Sequence, residues 1–168
     1  MSDIGSGTSN GGTAEGTPGP QARVQVVGQY VKDLSFENPG APASIPQRPS
    51  IDLNVDLQAR RMDQEHYEVE LKLRVTAKAE DKPVFLLELV YGGLFHIQNV
   101  PEDVVQQVLL IEGPHMLFPF ARRIVADVVR DGGMPPLMIE PIDFAGLYRA
   151  KSEQLQKMRV GTAPPDVA

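Results

Sequence analysis

Between residues 67 and 79 every second side chain is apolar: Tyr67, Val69, Leu71, Leu73, Val75, Ala77 and Ala79 alternate with Glu68, Glu70, Lys72, Arg74, Thr76 and Lys78. Successive strand side chains point to opposite faces, so this pattern predicts a strand with one dry and one wet face. The same period appears over 23–37, with Val24, Val26, Tyr30, Leu34 and Phe36 against Gln25, Gln29, Asp33, Ser35 and Glu37. It appears again at 51–57, where Ile51, Leu53, Val55 and Leu57 alternate with Asp52, Asn54 and Asp56. The run 84–97 is apolar on both strand faces: Phe85, Leu87, Leu89, Tyr91, Phe95 and Ile97 share one, and Val84, Leu86, Glu88, Val90 and His96 the other. A strand apolar on both sides needs cover on both, yet Glu88 sits in mid-strand, where a dry site would not tolerate an unpaired carboxylate.

Turn chemistry separates these strands. Asn38-Pro39-Gly40-Ala41-Pro42 ends the first, because proline removes ladder donors and Pro-Gly favours a turn. Glu80-Asp81-Lys82-Pro83 is short enough to close a hairpin between the last two strands. Gly92-Gly93 suggests a bulge or a close backbone approach.

Beyond residue 100 the period lengthens. Pro101-Glu102-Asp103 has the chemistry of a first helical turn, and Val104, Val105, Val108, Leu109 and Ile111 recur at helical spacing. Gly113-Pro114 is expected to end that helix, and a second follows over 115–130, with Leu117, Phe120, Ala121, Ile124, Val125, Val128 and Val129 as its apolar stripe. Asp131-Gly132-Gly133 is a stop. A last helix is expected from about Pro141, carrying Ile142, Phe144, Leu147, Tyr148 and Leu155, with Lys157 and Arg159 near its C-terminal end.

Four strands followed by helices predict an α+β domain: a four-stranded antiparallel sheet with helices packed on one face. The second face then lacks cover from the same chain, and self-association is the expected answer. Leu87, Leu89 and Tyr91 belong to the face that helices or a partner sheet would cover, while Leu86 and Glu88 look outward. Residues 1–20 contain fourteen Gly, Pro, Ser or Thr residues and almost nothing to bury, so they are read as a disordered tail. The same reading applies to 160–168, leaving 21–159 as a single domain.

Composition narrows the function. The 168 residues hold no cysteine, which excludes disulfides, thiol nucleophiles and Cys-based metal sites and fits a reducing cytoplasm. Sixteen basic against twenty-two acidic residues give a net charge of −6, disfavouring nucleic acid or an anionic membrane as partner. No apolar run reaches the length of a membrane span, and no secretory signal begins the sequence. Asp52-x-Asn54-x-Asp56 resembles the start of a calcium loop, but Leu57 stands where glycine is required and the interleaving is that of a strand. His66, His96 and His115 lack metal-ligand spacing, and no G-x-S-x-G or phosphate-binding loop occurs. Glu88 and His96 share a strand face, but eight residues of strand separate them by roughly 26 Å. What remains is surface: acids at Asp33, Glu37 and Glu88 among apolar neighbours, with Phe36, Phe144, Tyr148, Met134 and Met138 able to supply adaptable contact.

Several separated segments are similar to one family. Val31-Lys32-Asp33-Leu34-Ser35-Phe36-Glu37-Asn38-Pro39, Tyr67-Glu68-Val69, Phe85 through Phe95, Leu117-Phe118-Pro119-Phe120-Ala121-Arg122 and Pro135-Pro136-Leu137 through Pro141-Ile142-Asp143-Phe144 resemble the SecB export chaperones, in the family's order. The resemblance implies a cytoplasmic homotetramer, a dimer of dimers, that keeps unfolded precursor proteins translocation-competent and passes them to the SecA motor. It implies no enzymatic activity and no cofactor. The family's acidic docking patch for the zinc-bearing tail of SecA falls on Asp33, Glu37, Leu86 and Glu88. Its hydrophobic client grooves, beside the last helix and the loop after the first strand, point to Phe36, Phe144, Leu147 and Tyr148. Two other readings stay open: a SecB-like chaperone dedicated to an antitoxin, and a small-molecule binding protein or enzyme with a closed pocket between sheet and helices.

Overall fold

The computed structural model describes residues 19–43 and 48–160. The tails expected at the two ends fall, apart from residues 19, 20 and 160, outside the described residues. The chain runs β1 (Arg23–Glu37), β2 (Ser50–Arg61), β3 (His66–Ala79), β4 (Lys82–Gln98), α1 (Glu102–Asp131) and α2 (Phe144–Val160). The strands form one antiparallel sheet in the order β1-β4-β3-β2, leaving β1 and β2 as edges.

The cleanest alternation in the sequence became a central strand. In β3 the odd-numbered residues from Tyr67 to Ala77 are buried beneath α1, with Val69, Leu71 and Val75 fully enclosed. Register carries that face into β4 through Leu71↔Tyr91, Leu73↔Leu89 and Val75↔Leu87, and into β2 through Val55↔Leu73 and Leu57↔Leu71. The hairpin between β3 and β4 closes at Ala79↔Lys82, with Glu80 and Asp81 at φ of 50° and 62°. Two positive φ angles are what a two-residue hairpin needs to match the strand twist.

The helical layer differs from expectation at two places. Gly113-Pro114 does not end a helix; α1 runs unbroken for 30 residues with Pro114 and Pro119 inside it. Pro114 costs the backbone bond its N–H would have made, about 3 kcal/mol in a helix interior. Burial offsets it. Gly113 lies so near β3 that a Cβ would stand 3.2 Å from Val69, and Pro114, Leu117 and Phe118 are buried around it. The glycine therefore marks where the helix meets the sheet. The stop after Asp131 is as expected, with the Gly132 N–H donating to the Val128 carbonyl and Gly133 at φ 85°. α2 starts at Phe144 and not at Pro141, because Asp143 caps it: its Oδ1 accepts the Gly146 N–H at 2.9 Å. Among the described residues, no helix is long and apolar enough to cross a membrane.

The edge strand β1 carries the main departure in the sheet. Register shifts between Val26 and Gly28 and between Val31 and Asp33 mark two bulges, and each turns the following side chains to the opposite face. Val24 and Val26 face α1, Tyr30 faces away opposite Gly92, and after the second bulge Leu34 and Phe36 face the helix side again. Unbroken alternation wrongly puts Tyr30 with the apolar set.

Candidate functional site

The sheet face turned away from the helices is built from the even-numbered residues of β3 and β4 and their partners. It is not the apolar surface expected: Glu70, Lys72 and Arg74 occupy it, with Leu86, Val90 and Leu94 half-buried among charges. Glu88 is thereby reconciled with its apolar strand, since only Leu87 and Leu89 on either side point into the core. Asp33, Glu37, Leu86 and Glu88 all lie on this open face, at the β1–β4 seam. Glu37 pairs with Leu86, Ser35 with Glu88, and Asp33 with Val90. The Glu88 carboxylate reaches Arg74 Nε at 3.2 Å, a pair too exposed to bind strongly.

Beside this patch, one carboxylate gathers groups from two other strands. Glu68 on β3 is 4% exposed, the one buried charged residue among those described. The Tyr30 hydroxyl donates to it at 2.5 Å, Lys32 Nζ at 3.1 and 3.2 Å, and Arg60 Nε at 2.5 Å. Lys32 also pairs with Glu70. Burial works against the charge on Glu68, but the hydrogen bonds from Tyr30, Lys32 and Arg60 outweigh it and hold the carboxyl at about 2. Burial and the bond to Glu68 push the Tyr30 phenol up to about 12. The depressed carboxyl has a stability consequence. Its contribution is complete above the ordinary glutamate value of 4.5 and is lost as pH falls toward 2. Wild-type unfolding free energy therefore declines more steeply between pH 4.5 and 2 than that of Glu68→Gln, which lacks the titrating group; urea unfolding across that range measures the two slopes.

Along the β2 edge of the sheet, β2 and α2 border an open groove of mixed lining. One stretch, of about 370 Å³, is lined by Leu57, Leu110, Tyr148 and Leu155 and, where it meets the open sheet face, by Arg60, Glu68 and Glu70. An adjoining one, of about 300 Å³, adds Val55 and Leu147. Lys151 crosses from α2 to the Leu57 carbonyl at 3.4 Å and toward Asp56 at 3.8 Å. A larger hollow of about 810 Å³ lies between residues 38–43 and the end of α1, with Met134 and Pro135 in its wall. Phe36 stands at its margin, its ring 5.7 Å from that of Phe85 and against Gly132. These hollows are open. The layer between sheet and α1, where a closed small-molecule pocket was an alternative, is filled by Val69, Phe95, Leu117 and their neighbours.

Of the residues expected to meet clients, Leu147 and Tyr148 line the groove, but Phe144 does not. It is fully buried, edge-on to His115 at 5.1 Å and to Phe118 at 6.0 Å, because it fastens the first turn of α2 to α1. Leu87, Leu89 and Tyr91, assigned to an oligomer interface, are likewise buried beneath the chain's own helical layer. Exposed apolar side chains of the sheet include Val27, Val31 and Leu34 of β1 and Ile51 of β2. Sequence reasoning missed Glu68 and Leu110. Glu68 looked like one more acid on a wet face, and its only signal was a tyrosine and two cations within reach of the same sheet face. His66 and His96 stack at 4.8 Å, paired with Asp63 and Glu65, at the end of the open face remote from the acidic seam.

Known proteins bear on this geometry. The family model described as "Preprotein translocase subunit SecB" matches residues 17–155. A "Protein-export protein SecB" from Parvibaculum lavamentivorans is 47% identical over 167 residues, covering 98% of this chain and 99% of its own. One of the same name from Zymomonas mobilis is 54% identical over 144 residues, covering 84% and 87%. Among solved structures, the Mycobacterium tuberculosis Rv1957 SecB-like chaperone, in complex with a ChAD peptide from the Rv1956 HigA1 antitoxin, has a similar fold. The TM-score is 0.62 at 18% identity, over 71% of this chain and 91% of that one.

Proposed function

The chain belongs to the SecB family, chaperones of protein export, and we propose that it holds unfolded precursors in the groove along α2 while presenting the open sheet face to the SecA motor. The observation that carries this reading is the separation of two surfaces with different chemistry. Asp33, Glu37, Leu86 and Glu88 meet on one face, an acidic seam suited to a basic partner element. Leu147 and Tyr148, with Leu57, Leu110 and Leu155, supply the apolar part of hollows at the far edge, with Phe36 beside a third hollow. A holder of many sequences needs adaptable apolar surface in place of a shaped pocket. Several shallow sites along one extended client then add through effective concentration. Assembly into a cytoplasmic homotetramer fits the exposed Val27, Val31 and Leu34 on the unpaired edge of β1, which association would cover.

Export duty is favoured over dedication to an antitoxin, since the relatives at 47% and 54% identity are named for export and the antitoxin-bound structure shares only 18%. The test is suppression of aggregation: an unfolded secretory precursor is diluted into buffer with and without the protein, and mass is read by light scattering. The expected result is a tetramer that slows aggregation at one tetramer per client. A monomer that leaves aggregation unchanged contradicts the reading.

A further inference from the structure

The acidic patch takes its two β1 acids from a strand that pairs within its own chain with β4 alone and is twice bulged, so the face each acid presents depends on those bulges. Loss of the second bulge would turn Asp33 and Glu37 toward the helices and bring Leu34 and Phe36 onto the docking face. Something must hold the bulged register. Tyr30, placed on the open face by the first bulge, lies across β4 at Gly92, where a Cβ would stand 2.5 Å from its ring. Only glycine leaves that path clear, and the hydroxyl then reaches past β4 to Glu68 on β3. Lys32, the extra residue of the second bulge, reaches the same carboxylate and Glu70. Arg60 approaches Glu68 from β2, so that the anchor is itself fixed. The clamp ends one residue before Asp33.

We propose that Glu68, with Tyr30 and Lys32, is a positioning device for partner docking: it locks the bulged register of β1 that presents Asp33 and Glu37 beside Leu86 and Glu88. The inference rests on the docking reading above. Charge-assisted bonds to a buried carboxylate are among the stronger polar contacts, and the clamp supplies them where ladder pairing is interrupted. Glu68 acts on docking through β1, and because it also lines the groove beside β2, Tyr30→Phe is the variant that reads the clamp alone.

The test uses the full-length protein with Tyr30→Phe, which keeps the ring over Gly92 and removes only the hydroxyl, and Glu68→Gln, with Glu88→Lys as the docking control. Affinity for SecA, retention of an unfolded client, unfolding midpoint and hydrogen exchange of the amides at 31–37 are measured for each. The expected result is a SecA affinity three- to tenfold weaker for Tyr30→Phe and Glu68→Gln, with faster exchange at 31–37 in both and client retention unchanged in Tyr30→Phe. Normal SecA binding by both clamp variants while Glu88→Lys loses it overturns the clamp and leaves the docking face standing. Equal loss of SecA and client binding in Tyr30→Phe also overturns it, reducing the cluster to general stability. Normal binding by Glu88→Lys as well removes the docking reading and this inference with it.

Discussion

Glu88→Lys is expected to weaken SecA binding by at least about tenfold while the mass of the assembly stays unchanged. Glu88 lies between Ser35 of β1 and Arg74 of β3 on the open face, with its side chain partly exposed. A lysine there removes one acid from a patch whose other charges are Asp33 and Glu37, and sets a second cation beside Arg74. Opposed like charges across an interface cost several kcal/mol, and each 1.4 kcal/mol is about tenfold in affinity. The neighbours that point inward, Leu87 and Leu89, are untouched, so folding should be spared. Because the interaction is one of exposed charges, the difference should shrink as salt rises and the screening length falls below about 10 Å. Titration calorimetry at low and moderate salt, with light scattering on the same samples, checks both parts. Unchanged affinity at low salt would remove Glu88 from the docking surface.

The second large effect separates a core aromatic from a groove aliphatic only three positions away. Phe144→Ala is expected to cost about 3–5 kcal/mol, the range for deleting a buried phenylalanine. Its ring is fully enclosed against His115 and Phe118, and it begins the helix that forms one wall of the groove. Leu147→Ala removes a side chain that is 40% exposed, and should change stability by less than about 1 kcal/mol. Its effect is on clients, whose release should quicken several-fold. Urea unfolding paired with the half-time of client aggregation separates the two variants. A stable Phe144→Ala protein would contradict its role as fastener, and unaltered client retention in Leu147→Ala would contradict the groove.

Much of the fold could be read from period alone, because three strands each have one buried and one wet face, and that contrast is written directly into alternate residues. β3 is the clearest case: its odd-numbered residues enter the core and its even-numbered ones do not. The bulges of β1 could not be read so. A bulge adds one residue without changing composition, and Val27 and Lys32 carry no sign that they are the extra ones. Tyr30 was misplaced for that reason, and with it the cluster on Glu68. Gly113-Pro114 misled in the opposite direction. Local propensity argues for a break, while the packing of the glycine on Val69 and the burial of Pro114 override it, a tertiary effect invisible to a local rule. Phe144 was assigned to clients on its chemistry, which suits a core as well as a groove; only Asp143, which caps α2, hinted that the residue after it belongs to the first turn.

The claim that organises these results is that the chain keeps two working surfaces apart, the acidic seam of β1 and β4 for SecA and the groove of β2 and α2 for clients. Amide hydrogen exchange on the protein alone, with SecA and with an unfolded precursor tests it most directly. The account predicts that SecA slows exchange at 33–37 and 86–90 and leaves 147–155 unchanged, and that the precursor does the reverse. Protection of α2 by SecA, with none along β1 and β4, would contradict it.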